Sequence, residues 1–69
     1  MVKTYFTFGQ KHAHSYNGQT LDKDWVVEMV TKTHEEARAK MFELFGQEWC
    51  WQYNKKPEMK YFLSGIFKI

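Results

Sequence analysis

The sequence predicts a small α+β domain of order β-β-α-β-β, with one helix on one face of a mostly antiparallel four-stranded sheet. Three observations predict it. Residues 2–8 and 25–31 alternate side-chain character with a period of two, as strands do. Residues 33–46 carry a helix start signal, a helix stop signal and apolar positions at helical spacing between them. Two further aromatic-rich runs, 48–53 and 61–69, flank a proline turn.

In the first run Val2, Thr4, Phe6 and Phe8 share one face, and Lys3, Tyr5 and Thr7 share the other. Gly9 ends this strand. In the second, Trp25, Val27 and Met29 oppose Val26, Glu28 and Val30. β-Branched and aromatic residues favour a strand there over a helix. Thr33-His34-Glu35-Glu36 is a capping box: the Thr33 hydroxyl accepts from the Glu36 amide, and the Glu36 carboxylate reaches back. Both glutamates also suit the positive end of the helix dipole. Ala37, Met41, Leu44 and Phe45 then define a buried face, with Arg38, Lys40 and Glu43 mostly off it. Gly46 supplies the positive φ that closes the helix. The third strand, Glu48 to Tyr53, is expected to place Trp49, Trp51 and Tyr53 on one face and Cys50 and Gln52 on the other. Asn54 to Glu58 reads as a turn in which Pro57 fixes the backbone. Tyr61 to Ile69 reads as a fourth strand, with Gly65 marking a bulge.

Sixty-nine residues make one domain with a thin core. Three Trp, four Tyr and six Phe offset that thinness with large apolar rings. A net charge of +2 is too small to argue nucleic-acid binding by itself. A single cysteine, Cys50, leaves no internal disulfide and no multi-cysteine zinc module, which fits a reducing cytoplasm. Neither a secretory leader nor an apolar run long enough to span a bilayer is legible.

The stretch from Gly9 to Asp24 is the first place to look for function. It is polar, carries two of the three histidines and exceeds the usual loop length of about 4–6 residues. Asn17-Gly18 makes a tight turn that folds it back as a small hairpin. In extended backbone His12 and His14 project to one side, the arrangement of a two-histidine metal grip. Zinc needs a third ligand, for which Asp22, Asp24, His34 and Cys50 are candidates, and no motif selects one. The same pair has the right chemistry for general acid and base work, although Ser15 beside His14 does not make a triad. The simpler reading is that both imidazoles bond backbone or water. Cys50, between two tryptophans in a strand, reads as a buried inert thiol. Asp22-Lys23-Asp24 reads as a solvated strand entry. Lys55, Lys56 and Lys60 beside Tyr53 and Tyr61 are the ingredients of a single-strand nucleic-acid platform, without the aromatic signature of known RNA-binding sheets.

Several of these segments together resemble a group of small proteins from bacteriophages, prophages and other mobile elements. Tyr5-Phe6-Thr7-Phe8-Gly9-Gln10, His12, His14, Asn17-Gly18 and Asp22-Lys23-Asp24 carry the resemblance in the first part. Ala37-Arg38, Met41-Phe42-Glu43, Phe45-Gly46, Trp49 and Tyr53 extend it, and Tyr61-Phe62 and Gly65-Ile66 take it nearly to the end. The resemblance implies a genomic setting rather than a reaction, and no catalytic residue. Small accessory proteins of such elements often inhibit or modulate host proteins, including defence systems.

The expected function is therefore non-enzymatic binding of a protein, either a host target or a second copy, without a cofactor. One helix covers only one face of a sheet, yet rings occur on both phases of the strands. The expected surface combines Gln10, His12, His14 and Tyr16 of the loop with Trp25, Trp51 and Tyr53 of an open sheet face. A nucleotide or nucleic-acid binder is the alternative, and a metal-dependent enzyme on His12 and His14 is the second.

Overall fold

The computed structural model describes residues 1–69. Strands β1 (Val2–Thr7) and β4 (Trp25–Thr31) pair antiparallel in the centre of a four-stranded sheet. Helix α1 (His34–Phe45) crosses one face and delivers β5 (Trp51–Tyr53) to the far side of β1, antiparallel to it. The chain then returns through a 3₁₀ turn, Met59–Tyr61, to β6 (Gly65–Lys68) beside β4. The sheet order is β5-β1-β4-β6. The helix thus connects two strands with β1 lying between them. Between β1 and β4 a separate hairpin forms from β2 (His14–Tyr16) and β3 (Gln19–Leu21).

The core lies between sheet and helix. Phe6, Phe8, Val27 and Met29 from the sheet meet Ala37, Met41 and Phe45 from the helix, all buried. Four-residue spacing puts those three helical side chains on one stripe. The Thr33 hydroxyl accepts from the Glu36 N–H at 3.2 Å, which forms one arm of the expected capping box. Below it, Thr4 Oγ1 and His34 Nδ1 lie 2.7 Å apart, tying the first helical turn to β1. The hairpin turn has φ of 49° at Asn17 and 80° at Gly18, the pair of positive angles a two-residue connection needs. Leu21 at its end is fully buried in the core.

Three expectations change. Residues 61–69 do not form one antiparallel strand. Met59–Tyr61 is a 3₁₀ turn, and Gly65, rather than bulging a strand, opens β6, which runs parallel to β4. A parallel strand needs a crossover, and residues 54–64 supply it.

The second change follows from the first. Tyr5, Thr7, Val26 and Glu28 point away from the helix, yet all are buried. Helix and hairpin pack on the opposite side, through Phe45 and Leu21. Covering this face falls to the 54–64 crossover, on which Pro57, Met59 and Phe62 are partly buried. The second sheet face is therefore closed at its centre and open only at its margins, where Val30, Trp51 and Tyr53 stay exposed.

The third concerns Cys50, which is exposed.

Beneath the crossover, Tyr5 and Glu28 face each other across the β1–β4 ladder. Burial, and then the Glu28 carboxylate, hold the Tyr5 phenol above its ordinary pKa. The unfolded phenol loses its proton first, near pH 10, so native stability is complete below about pH 10 and falls as pH climbs through the raised value. Thermal melts of wild type and Tyr5→Phe should therefore diverge in slope only above about pH 10. Parallel melting curves up to about pH 11.5 would remove this account.

Candidate functional site

The site grows from the sheet edge at β5. Thr7 is the register partner of Trp51, yet its carbonyl accepts from the Cys50 N–H at 2.8 Å. Two residues thus oppose one, as in a β-bulge, and the alternation reverses at that point. Trp49 turns to the helix side, its ring 5.3 Å from Phe6 in an edge-to-face arrangement. Its indole N–H donates to the Gly46 carbonyl at 3.0 Å. Trp51 and Tyr53 stay on the other side and are 60% and 38% exposed. The expected common face for Trp49, Trp51 and Tyr53 is broken by that extra residue. Gly9 allows the two segments to approach: a Cβ there, at φ +71°, would sit 3.0 Å from Cys50 Cβ.

An open cleft of about 1050 Å³ wraps around this edge. Arg38, Phe42 and Trp49 form its helix-side wall. Cys50 and the three residues of β5 form the floor, and the turn from Asn54 to Pro57 closes the other side. The Arg38 guanidinium carbon lies 5.2 Å from the centroids of both the Phe42 and Trp49 rings. Arg38 Nη1 donates to Gln52 Oε1 at 3.2 Å, and Gln52 Nε2 donates to Asn54 Oδ1 at 2.9 Å. Contact with two adjacent rings and one hydrogen bond hold the guanidinium in place on an exposed side chain. Lys55 and Lys56 add two more cations, and no carboxylate lines the cleft. The floor holds a thiol, but neither imidazole nor carboxylate is present to activate it. The arrangement is suited to holding an anionic partner with flat or apolar groups.

The other expected site residues have different surroundings. Trp25 lies on the helix face, with its ring 5.7 Å from Phe67 at right angles. It does not share a surface with Trp51 and Tyr53. Tyr16 packs at 5.9 Å from Phe45 and 6.0 Å from Phe67. His14 packs its tilted ring against both Phe8 and Phe45, at 5.6 and 4.9 Å, and its Nε2–H donates to the Glu48 carbonyl at 2.6 Å. Gln10 is exposed just beyond β1, and His12 is partly buried. The histidine pair thus divides: His14 clamps the hairpin to the chain entering the cleft. No three His, Cys, Asp or Glu side chains converge as a ligand set. Lys60 pairs with Glu58 at 3.4 Å and lies over the Tyr61 ring, away from the cleft lining.

Alanine at His12 and at His14 should separate these roles. His14→Ala removes both ring contacts and the tie to Glu48 and is expected to cost about 1–3 kcal/mol. His12→Ala is expected to stay within about 0.5 kcal/mol. Urea denaturation of the two variants checks this, and equal midpoints would contradict the clamp.

Arg38, Phe42 and Gln52 escaped the sequence reading. Arg38 lies off the buried face of the helix, as its spacing predicts, but its contact with Trp49 joins residues eleven apart across a turn. The four-residue spacing of Arg38 and Phe42 was the signal that could have found it.

No family model matches the chain, and no curated protein or solved structure shows significant similarity to it. No helix is long and apolar enough to cross a membrane.

Proposed function

We propose that this protein is a non-enzymatic binding module that captures a protein partner in the β5 cleft. One observation carries the proposal: Trp51, Tyr53 and Phe42 stay exposed around a sheet edge that also gathers Arg38, Lys55 and Lys56. Trp, Tyr and Arg are the residue types that most often dominate binding energy at interfaces. The surface is narrower than the sequence suggested and is centred on Trp51 and Tyr53, with Gln10, His12, His14, Tyr16 and Trp25 supporting or outside it. A homodimer through this cleft is disfavoured, because a two-fold would set its cations against themselves.

The resemblance to proteins of phages and mobile elements supports a host protein as the target. In that setting the module is a stoichiometric inhibitor, working in the cytoplasm of a host bacterium, with a defence protein as the natural candidate. The free thiol of Cys50 fits a reducing compartment. Affinity capture from host lysate, with wild type and Trp51→Ala/Tyr53→Ala compared side by side, tests the proposal. The wild type should retain a partner that the double variant loses, and the purified pair should form a one-to-one complex by light scattering. Equal retention would overturn it.

The same cations beside exposed rings favour a second reading, a single-stranded nucleic acid stacked on Trp51 and Tyr53. That reading requires affinity that falls steeply with salt. A flat titration at low salt would dismiss it.

A further inference from the structure

The hydrogen-bond alternation of the sheet specifies how the cleft would be filled. The Glu28 carbonyl accepts from the Ile69 N–H at 3.0 Å, so Glu28 directs its backbone groups toward the β6 side. The N–H and C=O of one residue in a strand point the same way, and direction alternates from residue to residue. Glu28 faces Tyr5 across the ladder, so Tyr5 spends its backbone groups on β5, where Tyr53 is its partner. Two positions on, Thr7 and Trp51 repeat that pattern, consistent with the Cys50 N–H reaching the Thr7 carbonyl. Gln52, between them, turns its N–H and C=O outward, off the sheet edge. The Gln52 side chain, which leaves the strand perpendicular to these groups, is held by Arg38 and Asn54.

The free main-chain pair therefore lies in the middle of the cleft floor. Its flanks carry Trp51 and Tyr53 on one side of the strand, and the Arg38 clamp on the other. A ligand lying along the edge touches both. We infer that the β5 edge receives an extended acidic peptide segment of the partner, which adds to the sheet as a fifth strand. Its backbone bonds Gln52, and its carboxylates, alternating with apolar residues, meet Arg38, Lys55 and Lys56 while the apolar ones pack on Trp51 and Tyr53. Main-chain pairing gives such a complex its affinity, and alternate side chains give its specificity.

Charge chooses this occupant. The lining holds cations and no carboxylate, which attracts an acidic strand and repels a second copy of this edge. A short edge flanked by lysines is also a known way for a sheet to avoid pairing with its own kind. Here the flanking lysines serve both ends. The outward Gln52 groups match the donor and acceptor that a peptide backbone presents side by side.

The inference rests on the protein-binding reading above, and its test is separate. The full chain would be used to select from a library of displayed random peptides about ten residues long, the upper end of ordinary strand length. Enriched peptides should be acidic and rich in β-branched or aromatic residues at alternate positions. For the best of them, Lys55→Glu/Lys56→Glu should weaken binding at least about tenfold, as a lost charge-assisted contact of ordinary size would. These two lysines are exposed turn residues, so circular dichroism should show the variant folded. Saturating peptide should slow exchange of the Gln52 amide at least about tenfold in heteronuclear NMR, while methylating the peptide nitrogen opposite Gln52 should abolish binding. Enrichment of peptides without an acidic excess, indifference to the lysine reversal, or an unprotected Gln52 amide would each overturn the inference. So would an oligothymidylate of similar length that binds more tightly than every selected peptide. If these fail while Trp51→Ala/Tyr53→Ala still loses the cellular partner, protein binding stands and the added strand falls. If partner capture survives that double substitution, the broader reading falls instead.

Discussion

Phe8→Ala is expected to leave the chain largely unfolded at 25 °C. Phe8 is fully buried, at the exit of β1. Its ring meets Phe45 at 5.4 Å edge to face and His14 at 5.6 Å. It thus joins the helix, the central strand and the hairpin at one point. Truncating a buried phenylalanine costs about 3–5 kcal/mol, through lost transfer energy and the cavity left behind. A domain below about 70–80 residues seldom holds more than about 3–5 kcal/mol in total. The loss is therefore of the same size as the whole stability. Phe8→Leu keeps most of the volume and is expected to stay folded, about 1–2 kcal/mol weaker. Far-UV circular dichroism with urea titration distinguishes the cases. A cooperative transition for Phe8→Ala near the wild-type midpoint would show that this junction does not hold the fold.

Trp51→Ala should do the reverse: lose the partner and keep the fold. The ring is 60% exposed, and its register partner is the small side chain of Thr7. A cross-strand pair of that kind contributes no more than about 1 kcal/mol. In the proposed complex the same ring is the largest exposed apolar body in the cleft, beside a guanidinium already held in place. Central tryptophans of this kind cost about 2 kcal/mol or more when truncated, which is at least about 30-fold in affinity. Once a partner is in hand, calorimetric titration reads the affinity and thermal melting reads the fold. Unchanged affinity at intact stability would move the binding surface away from β5. A collapse of stability would mean the ring is part of the architecture.

The two experiments probe opposite kinds of aromatic residue, and the sequence did not separate them. Phe6, Phe8 and Trp51 all occur in runs that alternate. For β1 and β4 the alternation predicts the faces, because a regular strand has a strict period of two and one face meets the helix. For the run around Trp49 and Trp51 the same rule failed, since one extra residue opposite Thr7 reversed the phase. A reversal of this kind leaves no trace in hydrophobic pattern. It depends on the close approach that Gly9 permits at Cys50, between residues forty-one apart.

The 9–24 segment shows the same division. Asn17-Gly18 announced its turn, and the turn is there, with the two positive φ angles its residues favour. That His14 would turn inward to pack on Phe8 and Phe45, rather than project with His12, depended on where the hairpin docked. The Gln52 backbone groups, central to the candidate site, were beyond any one-dimensional reading. Their freedom depends on β5 having one neighbour only, and the sheet order decides that.

Local chemistry alone was enough for the helix from Thr33 to Gly46, for the two central strands and for the tight turn of the hairpin. Caps, turns and periodicity are interactions between residues within a few positions of one another, so they are written where they act. The parallel placement of β6, the crossover behind the centre of the second face and the meeting of Arg38 with Trp49 at the β5 edge came only with tertiary structure. Each joins groups whose proximity is set by how the whole chain packs, and burying the rings on both sides of a four-stranded sheet with a single helix required that longer route.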